Sequence, residues 1–249
     1  MSNDPSKTAL NEATRSRANF SGHGNAKGAA GVRRASFDPD NCELLSQPGQ
    51  AIAISPDKDG FQAIDIGMAW DNVIKEKSGL LGKLLGKVTK RGVDLDLGCL
   101  YEMQDGTRGC IQAFGEKFGA LDKPPYMNHS GDERTGDKEG YDEEININAA
   151  HWNDIKRILV YVYIYDGAPN WAEISPKIML DIPGEQDLVV SLSEYNDKFA
   201  LCAVGGLENV RGGIKLTNYT EYFPGHDEMD RAFGFGLTWG DGTGRKAPQ

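Results

Sequence analysis

Seven carboxylates crowd one short, glycine-punctuated stretch of this chain. Residues 129–144 read His-Ser-Gly-Asp-Glu-Arg-Thr-Gly-Asp-Lys-Glu-Gly-Tyr-Asp-Glu-Glu and carry Asp132, Glu133, Asp137, Glu139, Asp142, Glu143 and Glu144. Glycines at 131, 136 and 140 permit the positive φ angles that let a loop wrap a small ion. A hard divalent cation such as calcium takes about six to eight oxygens, from carboxylates, carbonyls and water. Upstream, Asp94-Leu95-Asp96 offers two more carboxylates at i and i+2, which an extended strand presents on one face. Asp71, behind Trp70, is a further candidate. The candidate ligand set is Asp71, Asp94, Asp96, Asp132, Asp142 and Glu143, with Ca2+ as the ion; the alternative on the residues alone is a surface loop whose charges are merely solvated.

Other site chemistries fit less well. The Asp-x-Asp-x-Asp-Gly order of an EF-hand is absent. Zinc would want paired cysteines or several histidines. Here His129 is the one histidine of the cluster, and Cys42, Cys99, Cys110 and Cys202 are widely spaced. His129 reads as a hydrogen bonder that shapes the loop, His151-Trp152 as the start of a turn or short helix, and His226 as a local ion-pair partner of Asp227, Glu228 and Asp230. No Walker loop, dinucleotide fingerprint or Gly-x-Ser-x-Gly elbow occurs. A non-enzymatic module is expected. The alternative is a metal-dependent hydrolase using the same carboxylates, and it lacks a convincing general base. A calcium-dependent glycan-binding or adhesion domain is a third option, disfavoured by the want of a secretion signal.

The elements that must position these residues read as short strands. Ala51–Ile54, Gln62–Met68, Val93–Tyr101, Gly109–Phe114, Arg157–Tyr165, Trp171–Leu180, Leu188–Leu192, Phe199–Val204 and Gly213–Tyr222 are strand candidates, with turn residues between them. In Arg157–Tyr165 the residues Tyr161, Tyr163 and Tyr165 share one face, and Val160, Val162 and Ile164 the other. Helix signals are confined to Asn148–Ile155 and Glu228–Phe233, and Gly205-Gly206 and Gly212-Gly213 read as hairpin turns. The pattern indicates an all-β, antiparallel β-sandwich with few short helices.

Charge divides the chain. The net charge is −10, yet residues 1–36 hold six basic residues (Lys7, Arg15, Arg17, Lys27, Arg33, Arg34) against Asp4 and Glu12, a net +4 that leaves −14 to the remainder. Residues 1–40 are expected to be a disordered arm, 41–225 the sandwich domain, and 226–249 a C-terminal extension packed on it with a flexible tail. Arg33-Arg34-Ala35-Ser36 also fits a basophilic kinase motif, a short match of low specificity. An acidic protein disfavours nucleic-acid binding. No run approaches the ~18 apolar residues of a membrane span, so a cytoplasmic location is expected. Within 73–91, Leu80, Leu81, Leu84, Leu85 and Val88 fall on one helical face opposite Lys83, Lys87, Lys90 and Arg91. That pattern suits peripheral contact with the inner membrane or an acidic partner, or else leucines that cap the sandwich, with Gly79, Gly82 and Gly86 weakening a free helix.

The order Trp70-Asp71, Asp94-Leu95-Asp96-Leu97, His129-Ser-Gly-Asp132 with Arg134-Thr-Gly136, and Gly140-x-Asp142-Glu143 resembles the TerD family of tellurium-resistance and stress proteins, over about residues 45–222. The C-terminal stretch Tyr222-Phe223-Pro-Gly-His226 through Asp230-Arg231-Ala-Phe-Gly-Phe-Gly, with Trp239, is similar to its TerA-like branch. The resemblance implies a β-sandwich that binds calcium through these acidic positions in the bacterial cytoplasm, with other tellurium-resistance or stress proteins as partners. Two positions depart from it: Glu133 where the family has Asn, and Tyr141 where it has an additional Asp. One metal site, or a weakened pair, is the expectation.

Overall fold

The computed structural model describes residues 42–70, 74–75, 90–91, 94–113, 115, 117–131, 141–166, 171–174, 176–192 and 195–240. The expected arm at 1–40, most of the amphipathic stretch at 73–91, and Asp71 and Asp132 lie outside the described residues. In chain order the strands begin with β1 (Cys42–Leu45), β2 (Ala51–Ile54), β3 (Ile64–Ala69), β4 (Ile74–Lys75) and β5 (Lys90–Arg91). They continue as β6 (Asp94–Met103), β7 (Arg108–Gln112), β8 (Gly119–Ala120), β9 (Met127–His129), β10 (Glu143–Ile147) and β11 (Ile155–Asp166). The last are β12 (Lys177–Asp181), β13 (Asp187–Ser191), β14 (Leu201–Val210) and β15 (Gly213–Phe223). Helical structure is limited to a 3-10 turn at Ala149–Asp154, α1 (Trp171–Ile174) and α2 (His226–Phe233).

Two sheets face each other: β1-β13-β12-β3-β10-β9-β8, and β2-β15-β14-β11-β6-β7. All pairings are antiparallel except β1 with β13, which run parallel. β4 and β5 form a separate pair, Ile74 opposite Arg91 and Lys75 opposite Lys90, at the two ends of the leucine-rich stretch. The antiparallel sandwich expected from strand spacing is what forms.

Strand alternation builds a main core between the sheets and smaller clusters on their outer faces, one of them formed by Cys42, Tyr141, Met179 and Val189. Val160, Val162 and Ile164 of β11 face the other sheet and join Leu95, Leu97, Ile66, Met68, Ile145 and Ile178 in the main core. Each such side chain contributes about 1.5–3 kcal/mol when fully buried. Tyr161 and Tyr163, on the opposite face, join Leu100, Leu159, Met229 and Phe235 in a second cluster under α2 and the segment after it. Gly98 of β6 leaves room for the Tyr161 ring, since a Cβ there would lie 2.3 Å from its Cζ.

Three local expectations are corrected. Trp171–Leu180 is not one strand: Trp171 and Ile174, both wholly buried at i and i+3, share a helical face in α1, and only Lys177–Asp181 is extended. Pro176 cannot continue the turn. Gly205-Gly206 lies inside β14, at a bulge, not at a hairpin turn. A Cβ at 205 would stand 2.8 Å from the Thr217 carbonyl oxygen and one at 206 2.6 Å from the Tyr219 ring. These glycines permit close approach across the sheet. Finally, the two ends of the acidic stretch are strands: His129 closes β9, and Glu143 and Glu144 open β10.

Candidate metal centre

The described acidic residues gather at one end of the sandwich, where β3 ends and β6 and β10 begin. Asp142 immediately precedes β10 and is wholly buried. Its backbone N–H donates to the Met68 carbonyl at 2.8 Å, prolonging the β3–β10 ladder. Its Oδ2 accepts the Trp70 N–H at 3.1 Å. Asp142 is thereby tied to the residue that precedes Asp71 in sequence.

Glu143 is likewise wholly buried and points between the sheets. Pairing of β6 with β7 ends at Gly98 opposite Gln112, so Leu97 lies one residue beyond the β7 partner. The opposite sheet takes over there. Leu97 donates its N–H to Glu143 Oε2 at 2.6 Å, and its carbonyl lies 2.9 Å from His129 Nε2. Gly131 donates its N–H to His129 Nδ1 at 3.0 Å, which leaves the ring proton on Nε2 for donation to Leu97. Both ring nitrogens of His129 are thus engaged by the backbone, and Nε2 also lies 3.5 Å from Glu143 Oε2. Two side chains of β9 and β10 act here as a missing strand for β6.

Asp94 and Asp96 do share a face of β6, but it is the outer face of the six-stranded sheet. Asp96, 7% exposed, stands in register with Tyr163. Burial and then the Asp96 carboxylate push the Tyr163 phenol above its ordinary range. Half-buried Asp94 pairs with exposed Asp166 at the end of β11. Like charges directly opposite repel, so Asp166 belongs to this acidic end. The sequence signal for it was the Asp closing the Tyr-Val-Tyr-Ile-Tyr-Asp run, legible only once the register was known.

Glu143 therefore reaches β6 from the facing sheet, Asp94 and Asp96 stand on the outer face of β6, and Asp142 is tied to Met68 and Trp70 at the end of β3. Among the described residues no three His, Cys, Asp or Glu side chains converge as a metal-holding group. The donor chemistry nonetheless fits calcium. All four are hard oxygen donors, and backbone N–H groups orient Asp142 and Glu143 as outer-shell partners orient metal ligands. Closing a ligand set would draw on Asp71 and Asp132.

Tyr141 has a different surrounding. Its ring packs over Gly67 on the outer face of the seven-stranded sheet, where a Gly67 Cβ would meet ring atoms at 2.4 Å. Burial, then Asp181, Asp187, Glu144 and Asp65, push its phenol well above the ordinary range.

His226 corrects another expectation. It forms no ion-pair network with Asp230. Its ring sits edge-on to Tyr161 and Tyr163, centroids 5.2 Å from each, and stacks on Trp239 at 5.0 Å. Burial pulls its pKa down to about 4, against a smaller upward pull from Asp227. Asp230 instead accepts from the Gly236 N–H (2.6 Å), the Leu237 N–H (2.7 Å) and the Trp239 indole (2.8 Å).

A two-sheet sandwich with an acidic end of this composition defines a class. A family model described as the TerD domain matches residues 44–175, more than half of the chain, and the chain belongs to the TerD family. Within it the chain is TerA-like: it is 36% identical over 200 residues to tellurium resistance protein TerA of Alcaligenes sp, covering 80% of this chain and 57% of that protein. It is also 35% identical over 100 residues to tellurium resistance protein TerZ of Serratia marcescens, covering 40% of this chain and 48% of that one. The chain thus spans about half the length of these relatives. The crystal structure of a homologue of telluride resistance protein (TerD) from Streptomyces coelicolor A3(2) aligns with a TM-score of 0.45 at 15% identity, over 69% of this chain and 95% of that one.

Proposed function

We propose that this TerD-family chain is a non-enzymatic, calcium-binding module of the tellurium-resistance and stress system, acting by calcium-dependent assembly or signalling with other proteins of that system. The observation that carries the reading is the pair of wholly buried carboxylates, Asp142 and Glu143, held by the backbone N–H groups of Trp70 and Leu97. Burying carboxylates is costly without compensating charge or hydrogen bonds. A bound calcium ion would supply that positive charge. Asp94, Asp96, Asp142 and Glu143, with Asp71 and Asp132, are the proposed ligands. Trp70, Leu97 and His129 hold the framework. Calcium held by the acidic residues between β9 and β10 and by this framework would create the surface that a partner reads.

The working location proposed is the cytoplasm, with peripheral contact at the inner membrane through residues 73–91. No helix among the described residues is long and apolar enough to cross a membrane.

Calcium-dependent melting of the full chain tests the module. At a hundredfold excess over Kd, stabilisation should be about 2.7 kcal/mol, or about 5–10 °C in Tm. Phosphatase and nuclease substrates should not turn over under the same conditions. Turnover that requires the metal would sink the non-enzymatic reading.

A further inference from the structure

The two large sheets end in four edge strands, β1 and β8 in one, β2 and β7 in the other. An edge exposes unpaired N–H and C=O groups and invites another strand unless it is very short, charged or covered. Three of the four are managed in that way. β8 has two residues, β1 carries exposed Glu43, and β7 carries Arg108 and spends its Gln112 N–H on the Lys117 carbonyl at 3.1 Å. β2 is different. Gln50, Ala51, Ala53 and Ser55 are all exposed, and among the described residues β15 is its one strand partner.

The ladder fixes which groups face out. Asn218 donates its N–H to the Gln50 carbonyl at 2.9 Å, and Ile52 and Ile54 continue in register with Leu216 and Ile214. Alternation along an antiparallel strand therefore turns the N–H and C=O of Ala51 and Ala53 away from β15. Their small side chains are exposed, whereas Ile54 is buried in the main core and Ile52 packs half-buried against it.

The sequence around this edge is close to symmetric. Pro48-Gly-Gln-Ala-Ile52-Ala-Ile-Ser-Pro56 centres on Ile52, with an alanine on either side of it, Gly49 mirrored by Ser55, and Pro48 mirrored by Pro56. Antiparallel pairing about a two-fold axis at Ile52 sets Ala51 opposite Ala53 of the second copy, and Ala53 opposite its Ala51. That register exchanges about four backbone hydrogen bonds. It brings the two Ile52 side chains together at the margin of both cores, and it stops where proline meets proline, neither having an N–H to extend the ladder. Charge selects the same place. Copies with a net charge of −10 each repel one another, and residues 46–56 hold no charged side chain.

We propose that two copies of this chain pair through β2, edge to edge and antiparallel, so that one sheet runs continuously across the dimer. The contact is small, so the pair is weak and forms at high local concentration. Salt should strengthen it by screening the repulsion between copies, the opposite of a dimer held by ion pairs.

Sedimentation equilibrium of the full chain tests this without reference to any metal, in EDTA with about 0.5 M NaCl and from about 10 μM to about 1 mM protein. The parent should dimerise reversibly with a Kd of about 0.1 mM. Ala51→Asp/Ala53→Asp sets like charges opposite each other at both bonded pairs and should weaken the dimer about tenfold or more. Ala51→Lys/Ala53→Asp changes the same two exposed positions and should restore it, because this register puts position 51 opposite position 53. A parent that stays monomeric overturns the proposal, as does a dimer indifferent to Ala51→Asp/Ala53→Asp or one that the Lys/Asp combination fails to restore. A further measurement needs no variant. Amide exchange at Ala51 and Ala53 of the parent should slow about fourfold across the same concentration range. Exchange that is equally slow at both ends of the range gives the edge to another segment of the same chain, and equally fast exchange leaves it unpaired; either result overturns the proposal.

Discussion

Glu143 and Asp142 are tied to the backbone of neighbouring strands, so their removal should be felt in stability as well as in any metal affinity. Glu143→Ala strips the buried Leu97 N–H of its acceptor. Urea unfolding should show a loss of about 2–4 kcal/mol. Glu143→Gln, which keeps an amide oxygen for that N–H, should cost clearly less. Equal losses would mean that the Leu97 contact is not what Glu143 contributes. His226 should make the C-terminal cluster acid-sensitive. Its pKa is about 4 in the folded chain against an ordinary 6.5. A depressed pKa means that folding favours the neutral ring, so the contribution is complete above pH ~6.5 and is lost progressively as pH falls toward ~4. His226→Phe should flatten the pH dependence of the melting temperature in that window. A parent and variant with parallel profiles would refute the assignment.

Besides Asp230, a buried charge in the sheet holds the segment after β15. Glu102, 3% exposed at its side chain, is met by Arg157 Nε at 2.6 Å, Lys156 Nζ at 2.8 Å and Arg108 Nη2 at 3.1 Å. Burial pushes its carboxyl up, but these three donors outweigh it and hold the pKa at about 2. Arg157 also donates to the Phe233 and Gly234 carbonyls and lies over the Phe235 ring, and Arg108 donates to the Phe235 carbonyl. Glu102→Gln should therefore destabilise by about 2–3 kcal/mol, less than a fully buried pair because Lys156 and Arg108 reach solvent. It should also release residues 226–240 to proteolysis before the sheets unfold. Digestion that begins elsewhere would contradict this.

None of the Glu102 network was legible in sequence, because its members are spread from position 102 to 235 and meet only through sheet register. The strands themselves were legible where alternation was strong, as in β11, whose tyrosine and valine faces form as read. β10 was missed because its opening Glu143-Glu144 reads as part of an acidic loop. α1 was missed because a single turn with Trp171 and Ile174 inward mimics an apolar strand.

The molecule as a whole combines an acidic sandwich with a basic leading segment. Six candidate ligands could be named from residue types and spacing. What spacing could not reveal is the side from which each reaches β6. The i, i+2 rule correctly put Asp94 and Asp96 on one face, but only the sheet order shows that Glu143 arrives from between the sheets. Nor could it show that Tyr141 packs over Gly67 on the outer face, beside Cys42, Met179 and Val189. The central claim is that the acidic end binds calcium through both groups of carboxylates. Titration calorimetry of the full chain with calcium, alongside Asp94→Ala and Asp142→Ala, tests it most directly. Saturable heat with the parent, weakened about tenfold or more in each variant, is the predicted result. No heat with the parent, or unchanged binding in both variants, would contradict it.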